Sequence, residues 1–429
     1  MKCLIIADDL TGGADAGAQF AKMGFNTILI SYKDKKLLSN LKDLQNDVIV
    51  INTNSREISS IRASNIISRI FSYLEDTYCP VVYKKIDSTL RGNIGFEIDA
   101  ILNATNLNIG FLAPSFPEQE RIIAGGLLLV RGTPLSLTEV FSDKSPVKES
   151  YVHKIIRNQS SRKIGRIDLV AVAAGANEIA KTIKLKRKSN SEIIIFDAVS
   201  RKDLRNIAEA GYLMNKLPLF IGSAGLAQEI AKRILKTPKK NKTSSSKLSE
   251  EYKHMFLICG SLSHIAHKQI EYIKKNQKVK VYELTTSLLE KNGEDLQEEL
   301  RKISLNIADS LKRGHVVLKT TKNRILEKGT INRISPLLGK ICYSSLKSIQ
   351  AEWKNTAVAI TGGATVNSVF NFLRVESFEI QGELYEGIVF GKMVRGYADD
   401  LTVITKAGSF GEVDIWEKVF YSLLNLGAH

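Results

Sequence analysis

Residues 6–17 read Ile-Ala-Asp-Asp-Leu-Thr-Gly-Gly-Ala-Asp-Ala-Gly. The stretch before them, Met1 to Ile5, runs into Ile6 and Ala7 and has the short, unbroken apolar character of a buried parallel strand. After them Ala14 to Met23 has helical spacing, and Gly24 stands where a helix C-terminus favours glycine. Asp8 and Asp9 therefore fall at the carboxyl end of a first strand, the edge at which open α/β sheets bind ligands. Burying two adjacent carboxylates is unfavourable unless a cation, a hydrogen-bond donor or a substrate proton meets them. The bland alternative makes one a helix cap and leaves the other in water. The Thr11-Gly12-Gly13 that follows favours the first reading, because it frees backbone N–H groups.

The chain has 429 residues, 44% of them hydrophobic, enough for two cores. Its 61 Lys and Arg against 45 Asp and Glu give a net charge of +16. Such a surplus suits anionic small molecules, nucleic acid or a membrane surface, and also arises from lysines on solvated faces. The densest basic run, Lys181 to Lys188, carries no aromatic residue and so makes a poor single-strand platform. Cys3, Cys79, Cys259 and Cys342 form no CxxC pair, and Cys3 and Cys259 read as reduced core residues. No signal peptide precedes the first strand, and no stretch approaches the roughly 18 apolar residues of a membrane span. A soluble, cytoplasmic protein is expected.

Strand-like runs alternate with helical ones along most of the chain. The first series is Leu4–Ala7, Thr27–Ser31, Val48–Asn52, Val81–Ile86, Ile109–Ala113, Leu169–Ala173, Ile193–Asp197 and Leu217–Ile221. Helices are predicted at Ser59–Leu74, Phe96–Ala104 and Lys202–Met214. Residues 114–152 break the rhythm with Pro114, Pro117, Pro134 and Pro146 and read as loops with a short hairpin. Lys236–Glu250 is polar and Ser-rich, without apolar periodicity, and reads as a linker. A second series follows: Phe256–Cys259, Val279–Leu284, Val316–Thr320, Ala357–Thr361 and Leu401–Thr405, with helices near 264–275, 295–313, 341–352 and 413–424. The alternation predicts an α/β protein of two domains, each a mostly parallel sheet flanked by helices, with an active-site cleft between them. The domains are 1–235 and 251–429, joined by the linker 236–250.

Two further strand ends in the first half carry charge. Tyr83-Lys84-Lys85-Ile86-Asp87-Ser88-Thr89-Leu90-Arg91 packs three cations, a carboxylate and two hydroxyls into one strand-to-helix turn, which suits a carboxylate or phosphate ligand. Lys84 and Lys85 point to opposite faces if the strand persists. Asn52-Thr53-Asn54-Ser55-Arg56 adds a guanidinium to the same edge. In the second half Cys259-Gly260-Ser261, Thr361-Gly362-Gly363-Ala364-Thr365 and Thr405-Lys406-Ala407-Gly408-Ser409-Phe410-Gly411 each join a strand to a helix through glycine. There backbone amides and a helix N-terminus can meet an anion, although each turn alone is also an ordinary tight turn. The chain contains no GxxxxGK[ST] or GxGxxG phosphate loop, no HExxH and no Cys/His cluster. His264 and His267 lie three apart on one helix face, more simply read as a bland pair than as metal ligands.

Taken together, these blocks resemble the four-carbon acid sugar kinase family over essentially the whole chain. The resemblance rests on ADDLTGGADAGAQFAKMG, NTNSR, VYKKIDSTLRGNIG, APSFPEQER with GTPLSLTEV, GSAGLA, CGSLS, TGGATV and TKAGSFG, in order. It implies an N-terminal domain that holds an acid sugar and a C-terminal domain that binds ATP with Mg2+. It also implies phosphorylation of the 4-hydroxyl of D-threonate, D-erythronate or a 3-oxo-tetronate, with the D-threonate kinases most similar. Substrate contacts carried over fall on Asp9, Arg56, Lys84, Lys85, Ile86 and Asp87, with Arg91 beside them. Nucleotide contacts fall on Ser261, Gly362, Gly363, Ala364, Thr365 and Gly408. Ala364 stands where the family often has an acidic residue, and Gly12-Gly13 where it often has Gly-Ala. Asp9 is the first candidate to accept the hydroxyl proton and Asp87 the second. The expected partner is a small-molecule acid, without nucleic acid or membrane, and a homodimer is compatible with the chain. A rival reading is a non-catalytic sensor of nucleotide and acid sugar.

Overall fold

In the computed structural model, which describes residues 1–74, 79–138, 147–235, 252–321, 328–408 and 410–424, the run Cys3–Ala7 forms strand β1 with all five residues buried. The remaining strands of the compact unit Met1–Thr243 are β2 (Thr27–Ser31), β3 (Val48–Asn52), β4 (Val81–Lys85) and β5 (Gly110–Ala113), then β6 (Arg121–Ala124), β7 (Leu127–Val130) and β8 (Thr133–Pro134), then β9 (Ile164–Ile167), β10 (Ile193–Phe196) and β11 (Leu219–Gly222). Here β6, β7 and β8 make a small antiparallel sheet within the region predicted to hold a hairpin. The others form a parallel sheet in the order β2-β3-β1-β4-β11-β5-β10-β9. Helices cover both faces, and this is why β1, β3 and β10 are continuously apolar rather than alternating.

Neighbouring residues of β4 identify those faces. Lys84 meets Glu97 of the helix Ile94–Ala104, while Lys85 lies beside Gly12 of the helix Leu10–Ala21. Successive strand side chains point opposite ways, so the two helices flank opposite faces of the sheet. The helix that follows β1 and the one that follows its neighbour β4 thus leave in opposite directions. That is a topological switch point, and it falls at Asp8-Asp9.

The unit Ser244–His429 has strands β12 (His254–Cys259), β13 (Val279–Leu284), β14 (His315–Thr320), β15 (Thr356–Thr361), β16 (Ser377–Tyr385), β17 (Ile388–Val394) and β18 (Thr402–Lys406). Their order is β13-β14-β12-β15-β18-β17-β16, parallel except for β17, which runs antiparallel to both neighbours. Leu257, Cys259, Ala357, Ala359 and Ile404 share a core with the helices His264–Asn276 and Ile415–Leu423. The alternate residues Phe256, Ile258, Val358 and Ile360 are equally buried on the other face.

Several expectations need correction. Leu169–Ala173 is a helix rather than a strand, because Asp168 accepts a hydrogen bond from the Ala171 N–H and caps it; the strand lies just upstream, at β9. The hairpin β16–β17 was not anticipated. Its period-two pattern is interrupted by register shifts at Ile380/Gly382 and Glu383/Tyr385, although the two-residue Glu386-Gly387 turn, with Gly387 at φ 74°, is a hairpin signal. The helix expected near 341–352 is Lys328–Ser348, and it continues through Pro336. The first helix starts at Leu10, one turn before Ala14, which puts Thr11-Gly12-Gly13 in its opening turn. The predicted linker 236–250 lies outside the described residues, as do Pro146 and Ser409. Among the described residues no helix is long and apolar enough to cross a membrane.

Gly13 lets the first helix lie close on the sheet. A Cβ there would stand 3.0 Å from Ala7 Cβ and 3.1 Å from Val50 Cγ1. Gly13→Val should therefore lose about 1–3 kcal/mol of stability through overpacking. Thermal and urea melts measure this, and an unchanged midpoint would mean the helix does not depend on that approach.

Candidate active site

Three neighbouring strand ends build the first cluster. Beyond β3 the chain is pinned to the end of β1: Thr53 donates to Ala7 O from both N (2.8 Å) and Oγ1 (2.9 Å), and the Ser55 N–H donates to Asp8 O at 2.9 Å. This brings Arg56 across Asp8 and Asp9. Its Nε and Nη2 bind Asp8 Oδ2 and Oδ1 at 2.7 and 3.0 Å, and Nη2 also reaches Asp9 Oδ1 at 2.5 Å. Nη1 lies 3.9 Å from Asp87 Oδ1. Asp87, just beyond β4, takes Arg91 in a fork, Nε at 2.8 Å and Nη2 at 3.0 Å, and accepts from the Thr89 hydroxyl. Asp8 is buried, whereas the side chains of Asp9, Arg56, Asp87 and Arg91 keep 15%, 16%, 12% and 25% of their exposure. Asp9, the residue before the first helix, has extended backbone (φ −142°, ψ 156°) but makes no capping bond. Its carboxylate is instead held by Arg56 and by the Thr11 hydroxyl at 2.6 Å.

The charges decide the protonation states. Burial alone would raise the Asp9 pKa, but Arg56, then Lys85 and the Thr11 hydroxyl, outweigh burial and the opposing Asp87, so the carboxyl sits below its ordinary 3.8. Burial opposes ionisation of Asp87 as well; Arg91 and Arg56, with hydrogen bonds from Arg91 and Thr89, carry it well below the usual range. Burial works against the Arg56 cation, and Asp8, Asp9 and Asp87 reverse this and hold it firmly protonated.

The two lysines separate as the strand period requires. Lys85 Nζ donates to Ile86 O at 2.9 Å and lies on the Asp9 side of β4, beside Gly12. Lys84 is fully buried on the other face, 2.7 Å from Glu97 Oε2, and the Ser55 hydroxyl donates to the other oxygen of Glu97. The expectation that Lys84 faces the substrate is thus corrected: its ammonium is sealed beneath the edge and braces the loop that carries Arg56. Ile86 is a core residue whose N–H donates to Gly222 O, so its side chain presents nothing to a ligand. Glu97 was missed. Its signal was its position in the apolar stripe of Ile94, Ile98 and Ile101.

In the second unit β12, β15 and β18 are adjacent and parallel, so their carboxyl ends share one edge. Gly362 caps the helix Gly363–Phe372 with φ 101°, and its N–H donates to Lys406 O at 2.9 Å. A Cβ on Gly260 would strike Thr365 Oγ1, and one on Gly408 would lie 2.5 Å from Ser261 Oγ. Ser263 Oγ accepts from the Ser261 hydroxyl and donates to Gly408 O, each at 3.0 Å. Ser261, Gly362, Gly363, Thr365 and Gly408 therefore converge, with exposed Ala364 in the first helical turn. Side chains are excluded where the turns meet, and a helix N-terminus opens beside them, which fits an anionic phosphate chain. Among the described residues no group of three or more His, Cys, Asp or Glu forms a metal site.

Residues 3–230 match the family model of a sugar-binding N-terminal domain, and residues 256–415 that of a nucleotide-binding C-terminal domain. Along 96% of both chains the protein is 29% identical to the D-threonate kinase of Salmonella typhimurium. It is also 26% identical to the D-erythronate kinase of Heliobacterium modesticaldum, over 96% of this chain and 94% of that one. The chain belongs to the four-carbon acid sugar kinase family. A crystal structure of a Salmonella typhimurium LT2 protein superposes with a TM-score of 0.79 at 19% identity, covering 97% of this chain and 98% of that one, so the fold is shared as well.

The Lys84–Glu97 pair permits a direct check of its bracing role. Removing one partner leaves a buried charge uncompensated, so Lys84→Met or Glu97→Gln alone should lose about 3–5 kcal/mol. The double variant Lys84→Met/Glu97→Leu should be less destabilised than the worse single change. Denaturant melts of the four proteins measure this, and single variants as stable as the wild type would refute the buried pair.

Proposed function

We propose that the protein transfers the γ-phosphoryl group of ATP to the 4-hydroxyl of a four-carbon acid sugar, D-threonate first, with D-erythronate and 3-oxo-tetronates as alternatives. The observation that carries this reading is Asp9: a part-exposed carboxylate at the sheet's switch point, held ionised by Arg56 and Lys85, on the half that matches a sugar-binding domain. Identity to the two named kinases supports the choice of acid.

Asp9 would accept a hydrogen bond from the 4-hydroxyl and aim its lone pair at the γ-phosphorus. Bond formation to that phosphorus accompanies cleavage of the bond to the β-phosphate oxygen, and ADP leaves. Phosphoryl transfer depends mainly on positioning and charge neutralisation, so a weakly basic carboxylate suffices. The acid's carboxylate would meet Arg91 and the Nη1 of Arg56, which is too far from Asp87 to donate to it. Lys85 would stay between Asp9 and the incoming hydroxyls. Gly362, Gly363, Thr365, Ser261 and Gly408 would receive the phosphate chain. Mg2+, when bound with the nucleotide, neutralises charge on the β- and γ-phosphates.

A coupled ADP-release assay with D-threonate, D-erythronate and the 3-oxo acids tests the reading. Stimulation by at least one is expected, with D-threonate giving the highest kcat/KM; none stimulating would end it. Ala364 favours the sensor alternative, for which nucleotide binding without turnover is the signature. Asp9→Asn should lower kcat by about two orders of magnitude or more. In the wild type, kcat should hold as pH falls toward the ordinary carboxylate range, because Asp9 stays ionised there. A full-strength Asp9→Asn enzyme would move the acceptor elsewhere.

A further inference from the structure

Neither Lys406 nor Gln269 can touch a ligand, yet both end on the Gly408 turn. Lys406 closes β18 and is completely buried. Its Nζ donates to Ala407 O at 2.9 Å, Gly408 O at 3.3 Å and Phe410 O at 3.0 Å. Gln269, equally buried on the helix His264–Asn276, brings Nε2 to Phe410 O, Gly411 O and Glu412 O at 3.0, 2.9 and 3.0 Å. Carbonyls of residues 407, 408, 410, 411 and 412 are thus drawn inward onto two buried donors.

In a trans peptide the C=O and the following N–H point in opposite directions. Turning these carbonyls inward therefore sends the N–H groups of Gly408, Gly411, Glu412 and Val413 the other way. Runs of outward backbone N–H groups form anion-binding concavities. The backbone carbonyl of Lys406 also fixes the N–H of Gly362, so one residue ties together two of the three glycine turns.

We propose that Lys406 and Gln269 are positioning residues that shape the nucleotide-phosphate turn from beneath, holding its carbonyls inward so that its amides face the phosphates. This rests on the kinase reading, which supplies the nucleotide. Space-filling alone would be served better by a methionine, because burying an ammonium is unfavourable. That burial pushes the Lys406 pKa down to about 8, and the Trp416 ring, 5.7 Å from Nζ, partly offsets the lost hydration.

The test is calorimetric titration of the intact chain with Mg·ADP, beside the KM for the acid sugar and a thermal melt. Gln269→Met and Lys406→Met should each weaken Mg·ADP binding about tenfold or more, the scale of losing one or two buried hydrogen bonds. The KM for the acid should stay within about twofold, a split that general loosening would not give. Should Lys406→Met fail to fold, the near-isosteric Gln269→Met decides alone. Folded variants that bind Mg·ADP like the wild type, or that lose acid and nucleotide affinity together, overturn this inference and leave the kinase reading standing. A wild-type chain that binds no adenine nucleotide overturns both.

Discussion

The fork between Arg56 and Asp8 is the contact on which the first unit's chemistry depends. Two adjacent carboxylates at the end of a buried strand repel each other and are poorly solvated, so the arrangement calls for a cation between them. Arg56 meets Asp8 through two hydrogen bonds and still reaches Asp9 with the same Nη2. Asp8 is thereby consumed in structure, and Asp9 is held charged with a small part of its carboxylate open to solvent. The bonds from Thr53 and Ser55 to the end of β1 make the arrangement rigid, because they fix the backbone that carries the guanidinium.

The same solution recurs beneath the edges of both sheets. Lys84 with Glu97, and Lys406 with its ring of carbonyls, are fully buried cations at strand ends that face away from any ligand. Each is matched locally by carboxylate or by carbonyl dipoles, and each fixes a loop that bears a candidate contact residue. Burying an unpaired charge at these points would be prohibitive, so the partner must be in place when the loop forms. The candidate sites therefore rest on polar braces as much as on apolar packing.

Much of this was legible from the chain. Continuous apolar runs marked the strands, and carboxylates or glycines just beyond them marked the ligand edge. Asp9, Arg56 and Asp87 come together as that pattern implied. The braces were not legible, for one shared reason: Glu97 sits in the apolar stripe Ile94, Ile98, Ile101, and Gln269 in the stripe Ala266, Ile270, Ile273. A polar residue inside such a stripe is the trace a buried donor or acceptor leaves, and its partner belongs to a distant segment. Lys84 was misjudged because strand alternation says that two lysines part company without saying which side each takes. Leu169–Ala173 was misassigned because a five-residue apolar run fits strand and helix alike, and only the Asp168 cap decides.

The weak basicity of Asp9 has a consequence for the fate of the proton. In the reaction proposed above, a carboxylate stabilised as an anion by Arg56 and Lys85 would steer the hydroxyl without keeping the hydrogen it releases. That hydrogen must travel onward with the new phosphate ester or into bulk water. On that proposal Asp9 would need no separate deprotonation between turnovers, which would leave the pace of the cycle to binding, transfer and product departure.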